Sequence, residues 1–128
     1  MPLRLFLVDD LKNMVALMQD LCDSVGYVEI AGTTGTEAEA IDWLETHPRG
    51  WDVAVLDLVL AQGSGISLIS RARAANPDGQ IVVFSAYTSA GLDAHCRELG
   101  ANAVFNKQDS GAFVGWLDAL AKAAGRER

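Results

Sequence analysis

The stretch Leu3-Arg4-Leu5-Phe6-Leu7-Val8-Asp9-Asp10 begins as a short, nearly apolar run and stops abruptly on two adjacent acids. A run of that length with a sharp polar boundary reads as a strand covered on both faces. Immediately after it, Leu11, Met14, Val15, Met18, Leu21, Cys22 and Val25 recur at spacings of three and four, the period of a helix with one apolar face. Gly26 then stands where a left-handed helix cap favours glycine. Strand, acidic turn and helix form the first unit, and the pattern repeats along the chain.

Tyr27 to Ala31 reads as a second short strand, and Gly32 and Gly35 around Thr33-Thr34 read as a turn, because the glycine-lysine pattern of a nucleotide loop is missing. Thr36 and Glu39 have the spacing of a capping box, opening a helix through Ala40, Ile41 and Leu44 that stops near His47-Pro48. Val53 to Leu56 is the third strand. Ile66, Leu68, Ile69 and Ala72 mark a helix closed by Asn76-Pro77, and Ile81 to Phe84 is the fourth strand. Leu92, Cys96 and Leu99 mark a helix closed by Gly100, Ala103 to Phe105 a fifth strand, and Phe113, Trp116, Leu117 and Leu120 a last amphipathic helix. The fold class is α/β: a doubly wound, five-stranded parallel sheet with five helices covering both faces.

The chain has 128 residues, half of them hydrophobic, enough for one domain with a proper core. Residues 1–124 are expected to form that domain and residues 125–128 a short tail or the start of a linker. Seventeen acids against ten bases leave a charge of -7, which opposes direct binding to nucleic acid or an anionic membrane. No apolar run approaches the roughly 20 residues of a membrane span, so a cytoplasmic location is expected. Cys22 and Cys96 are far apart in helical segments and read as buried spectators. His47 and His95 are each isolated on a helical segment with no matching set of ligands and read as structural or solvent-facing, and Trp43, Trp51 and Trp116 read as packing residues.

In a sheet of this kind ligands bind outside the carboxyl ends of the strands. The first strand ends at Asp9-Asp10, the third at Asp57 and the fourth at Ser85, and Lys107 closely follows the fifth. Taken singly, each has a plain reading, because aspartate and serine commonly cap helices and make turns. Together the carboxylates would repel one another unless a divalent cation offset them, and Mg2+ suits a site of one or two carboxylates, waters and a phosphate oxygen. A carboxylate can also attack phosphorus, with a cation and an amine stabilising the transferring group. Asp57, on the central strand, is the candidate nucleophile. Lys107 would pair with phosphoryl oxygens and Ser85 would donate a hydrogen bond to them.

With those spacings the chain resembles the receiver domains of two-component response regulators, including the chemotaxis regulators, over nearly its whole length. The family's acidic pair matches Asp9-Asp10, its phospho-acceptor Asp57, its hydroxyl residue and following small residue Ser85-Ala86, its lysine Lys107 and its loop glycine Gly65. The resemblance implies the flavodoxin-like strand order 2-1-3-4-5, for which a member of this family is one of the standard examples. It also implies Mg2+ held by Asp10, Asp57 and the Val59 carbonyl, with Asp9 acting partly through water. A histidine kinase or histidine phosphotransfer protein would supply the phosphoryl group, and a further protein would be the downstream target. Beyond phosphorylating and dephosphorylating itself, the domain is not expected to be an enzyme.

The chain departs from the family pattern at three places. Ala61 stands where a loop proline is usual, Val104 where an aromatic switch residue is usual, and Gln108 where proline often follows the lysine. Phe105 would face the other side of its strand, which leaves Tyr87 as the better switch candidate. The Lys107-Gln108 bond is expected to be trans, since cis before a non-proline residue costs about 2.5–4 kcal/mol. Two alternatives compete. One is a receiver-like binding module that works without phosphorylation. The other is an aspartate-nucleophile phosphohydrolase of the haloacid dehalogenase type, whose second acid is missing because Leu11 and Val59 stand two residues after Asp9 and Asp57.

Overall fold

The computed structural model describes residues 2–126. Strands β1 (Leu3–Val8), β2 (Val28–Thr34), β3 (Val53–Leu56), β4 (Gln80–Ser85) and β5 (Ala103–Asn106) alternate with helices α1 (Lys12–Val25), α2 (Glu37–Thr46), α3 (Ile66–Ala75), α4 (Ala90–Leu99) and α5 (Ser110–Arg126). All strand pairs are parallel, in the order β2-β1-β3-β4-β5. This is the order the resemblance implied, and it sets β3 between β1 and β4.

Alternation along each strand splits the core into two layers. Phe6, Val8, Ala54, Leu56, Ile81 and Val83 meet Ala40, Leu44, Leu68, Ile69, Ala72 and Cys96 from α2, α3 and α4. On the other face Leu5, Leu7, Val53, Val55, Val82 and Phe84 meet Met14, Met18, Cys22, Phe113, Leu117 and Ala121 from α1 and α5. The central strands are buried on both sides, so their carboxyl ends are rigid mounts. Both cysteines lie in these layers, as expected. Burial pushes the Cys22 thiol up to about 11, helped by the Asp23 charge.

Two boundaries differ from the sequence reading by more than one residue. β2 continues through Gly32, Thr33 and Thr34, which were expected to form a turn; only Gly35 lies beyond the strand. Its pairing with β1 skips Ala31, and this irregularity lets the strand run on beside Phe6, Leu7 and Val8. Gly32 belongs there for space: a Cβ would fall 2.6 Å from the Trp43 ring nitrogen, and that ring stacks on Phe6 at 4.0 Å. Alternate polar residues are tolerated because β2 is an edge strand. The second difference is at the chain end, where α5 runs to Arg126 and absorbs Gly125 and Arg126 of the expected tail; residues 127 and 128 lie outside the described ones. Alanines at 119, 121, 123 and 124 favour that extension.

The three tryptophans pack as expected. Trp51 is fully buried, Trp116 is partly buried beside Phe105 and Phe113, and Trp43 stacks between Phe6 and His47. No described helix is long and apolar enough to cross a membrane.

Candidate active site

Asp9 directly follows β1, Asp57 directly follows β3, Ser85 is the last residue of β4 and Lys107 directly follows β5. Because the strands are parallel and adjacent, these four residues meet at one edge of the sheet. Lys107 Nζ bridges Asp9 Oδ2 at 2.7 Å and Asp57 Oδ2 at 3.0 Å. Ser85 donates its hydroxyl to the other oxygen of Asp57, Oδ1, at 2.9 Å. The Val59 amide reaches the same Oδ1 at 3.3 Å, and the Leu11 amide caps Asp9 Oδ1 at 3.0 Å. Both Asp57 oxygens are thus oriented by donors from other segments.

The three groups of the Lys107 bridge are little exposed: 13% of the Lys107 side chain, 2% of Asp9 and 7% of Asp57. Burial works against the Lys107 charge, but hydrogen bonds to Asp9 and Asp57 and their negative charges outweigh it and hold the amine above its ordinary pKa. One amine therefore faces two buried acids, with Asp10 beside them.

Asp9, Asp10 and Asp57 each offer a carboxylate oxygen, and these three oxygens lie within 4.8 Å of one another. An all-oxygen set with excess negative charge fits a hard divalent cation such as Mg2+. Asp10 is the most accessible of the three acids, and its Oδ2 accepts from the Ala61 amide at 2.6 Å. Val59 sits at the rim, half-exposed, and pairs with Ser64 across the loop.

Gly65 opens α3 under a steric constraint: a Cβ there would fall 1.8 Å from the Asp57 carbonyl oxygen. Ala86 is exposed in the loop after Ser85. The Lys107-Gln108 bond is trans, as is every described peptide bond. Val104 packs with the layer under α4 and Phe105 with the layer under α5, as strand alternation requires, while Tyr87 is 64% exposed.

Two residues that the sequence reading passed over stand at the rim. Asn106 donates to Thr88 Oγ1 at 2.9 Å and accepts from the Gln108 amide at 2.8 Å, tying the loops after β4 and β5 together. Glu37, the first residue of α2, reaches the loop after β3, where the Ser64 amide and Ser67 hydroxyl hold its carboxyl below the usual range. Adjacency to Lys107 was a signal for Asn106. Nothing in the local pattern singled out Glu37, since the capping box next to it points to Glu39, whose amide the Thr36 hydroxyl indeed caps.

Comparison with known proteins agrees with this fold. The chain is 29% identical over 115 residues to the methanol utilization control regulatory protein MoxX of Paracoccus denitrificans, a match covering 88% of this chain and 50% of that relative. It therefore spans half the length of that protein. A LuxR-family two-component response regulator from Aurantimonas sp. SI85-9A1 superimposes with a TM-score of 0.82 at 20% identity, covering 96% of this chain and 87% of the other. A Burkholderia pseudomallei response regulator, solved with a phosphorylated aspartic acid, a calcium ion and citrate, gives 0.76 at 21% identity over 97% of this chain and 71% of the other. The family model described as the response regulator receiver domain matches residues 5–113, which include Asp9, Asp10, Asp57, Ser85 and Lys107. The chain belongs to the receiver domains of two-component response regulators.

Proposed function

We propose that Asp57 accepts a phosphoryl group from a histidine kinase or histidine phosphotransfer protein, and that the phosphorylated domain signals by binding another protein. The observation that carries this reading is the division of donors on Asp57: Ser85 on Oδ1 and Lys107 on Oδ2. In the transfer a carboxylate oxygen of Asp57 attacks phosphorus, the phosphorus-nitrogen bond of the donor phosphohistidine breaks, and its electron pair returns to the imidazole. The Asp57 carboxylate is aimed by its buried strand. Lys107 and Ser85 are then within reach of phosphoryl oxygens as charge gathers on them. The small Ala86 beside Ser85 leaves the approach open.

Asp10, Asp57 and the Val59 carbonyl would hold Mg2+, with Asp9 acting partly through water. The bound cation supplies positive charge against the phosphoryl oxygens and the acidic cluster. The phosphorylated aspartic acid and calcium ion in the Burkholderia neighbour support this assignment. The acidic balance of the chain supports a protein partner over direct nucleic acid contact, and the family's usual setting supports a cytoplasmic location.

The test is labelling by acetyl phosphate with and without Mg2+. Wild-type protein takes up one phosphoryl group only with Mg2+, and Asp57→Asn takes up none. Equal labelling of the variant would reassign the acceptor. No labelling of the wild type would favour a binding module that works without phosphorylation, and multiple turnover of a phosphate ester would favour a hydrolase.

A further inference from the structure

The loop between β3 and α3 carries Val59, yet its own sequence does little to stiffen it, with Ala61, Gly63 and Gly65 and no proline. It is pinned instead from two sides. Asp10 holds the Ala61 amide at 2.6 Å. From α2, Glu37 accepts the Ser64 amide on Oε1 at 2.7 Å and the Ser67 hydroxyl on Oε2 at 2.9 Å. The Glu37 amide in turn donates to the Gln62 carbonyl at 3.2 Å. Gly63 makes room for this reach: its φ is +97°, and a Cβ there would lie 2.4 Å from Glu37 Cβ and 2.6 Å from Oε1. Both the positive φ and the crowding call for glycine.

The clamp leads toward the site. Ser64, whose amide Glu37 holds, forms an antiparallel bridge with Val59, and the Ser64 hydroxyl donates to the Leu58 carbonyl at 3.3 Å. Ser64 thus braces the stretch from Leu58 to Val59 that leads into the Val59 carbonyl. Glu37 belongs to neither core layer, so its hydrogen bonds end on this loop and on the first turn of α3, not in the packing. A carboxylate makes charge-assisted bonds roughly twice as strong as neutral ones, and the start of a helix favours negative charge.

We propose that Glu37 is a positioning residue for the cation site: by clamping Ser64 and Ser67 it holds the Val59 carbonyl in place, taking over the stiffening that Ala61 does not provide. This rests on the cation site assigned under the proposed function. Its distinctive consequence is that a partly buried helix residue outside the acidic cluster controls divalent-cation affinity.

The experiment is a Mg2+ titration of the isotope-labelled full chain, followed by backbone amide shifts, for wild type, Glu37→Ala, Glu37→Gln and Ser67→Ala. Removing a group that orients a metal ligand commonly costs 10–100-fold in affinity, so Glu37→Ala is expected to weaken Mg2+ binding by about tenfold or more. Glu37→Gln keeps an oxygen for the Ser64 amide and an amide that Ser67 can accept from, and stays within about threefold of wild type. Ser67→Ala, which loses the Oε2 contact and the hydroxyl's longer contact with the Ser64 carbonyl at 3.4 Å but keeps the Ser64 amide on Oε1, falls between them. Unshifted amides in β1 and β3 show in the same spectra that the fold is intact. Wild-type affinity in Glu37→Ala overturns the clamp and leaves the cation site standing; a wild type with no saturable Mg2+ shift removes the site and the clamp together.

Discussion

The two edges of the sheet handle charge in opposite ways. At the amino edge the arginines Arg4, Arg49 and Arg73 each have their own partners. Arg4 grips Asp52 with two nitrogens at 3.1 and 3.2 Å, and Arg49 pairs with Asp78 at 3.2 Å and with Asn76 at 3.2 Å. Arg73 spreads its guanidinium over the carbonyls of Pro77, Gly79 and Gly100 and the Asn102 side chain. At the carboxyl edge three acids gather around one bridging amine, Lys107. The amino edge is exposed and balanced; the carboxyl edge is nearly buried and carries excess negative charge. Such an imbalance is the pattern expected where function is favoured over stability, and it is in keeping with the cation and phosphoryl group proposed for this edge.

The largest test of that contrast is Lys107→Ala. It leaves Asp9 and Asp57 facing each other with little solvent to screen them, and breaking a buried ion pair typically costs about 3 kcal/mol or more. The urea midpoint should fall accordingly and recover in part with Mg2+, which replaces the missing positive charge. A midpoint that does not move would mean that the acidic edge is under no strain.

Gly65→Ala comes next. The new methyl would meet the Asp57 carbonyl at 1.8 Å, and forced overpacking costs about 1–3 kcal/mol. Phosphoryl labelling should drop with it, because the backbone of Asp57 must shift. The control is Gly115→Ala in α5, where nothing lies within 4 Å of the added Cβ; there a gain of about 0.5–1 kcal/mol is expected. Equal melting temperatures for the two variants would erase the distinction.

The smallest effect belongs to the amino edge. The Arg4 and Asp52 side chains are 40% and 37% exposed, so Asp52→Asn should cost only about 0.5 kcal/mol. Burial works to raise the Asp52 pKa, but hydrogen bonds and charge from Arg4 win and bring it below 3.8. The carboxyl is thus more acidic folded than unfolded. Its contribution is present above pH 3.8 and is lost as pH falls below that value through the folded pKa. Urea midpoints of wild type and Asp52→Asn should therefore converge in acid; a gap that widens there would reverse the sign.

Much of the site could be read from the chain because its chemistry sits on the strand ends, and strand ends are where periodicity breaks. Asp9, Asp57 and Ser85 each stand at the boundary of an apolar run, so locating the run located the acid or hydroxyl. The turn expected at Gly32 to Gly35 failed for the converse reason: two polar threonines in an edge strand look like a loop locally, and it takes the pairing with β1 and the Trp43 ring to make them a strand.

By itself the sequence determined the alternation of strands and helices, the burial of the central strands and the set of groups at their carboxyl ends, since these follow from local apolar periodicity and from the rule that parallel strands share an edge. Only the tertiary structure decided that Lys107 bridges Asp9 and Asp57, that Asn106 ties two loops together and that Glu37 crosses from α2 to Ser64 and Ser67. Those contacts join residues far apart in the chain. They depend on how helices seat against the twisted sheet, and no short-range pattern of residues records that distance.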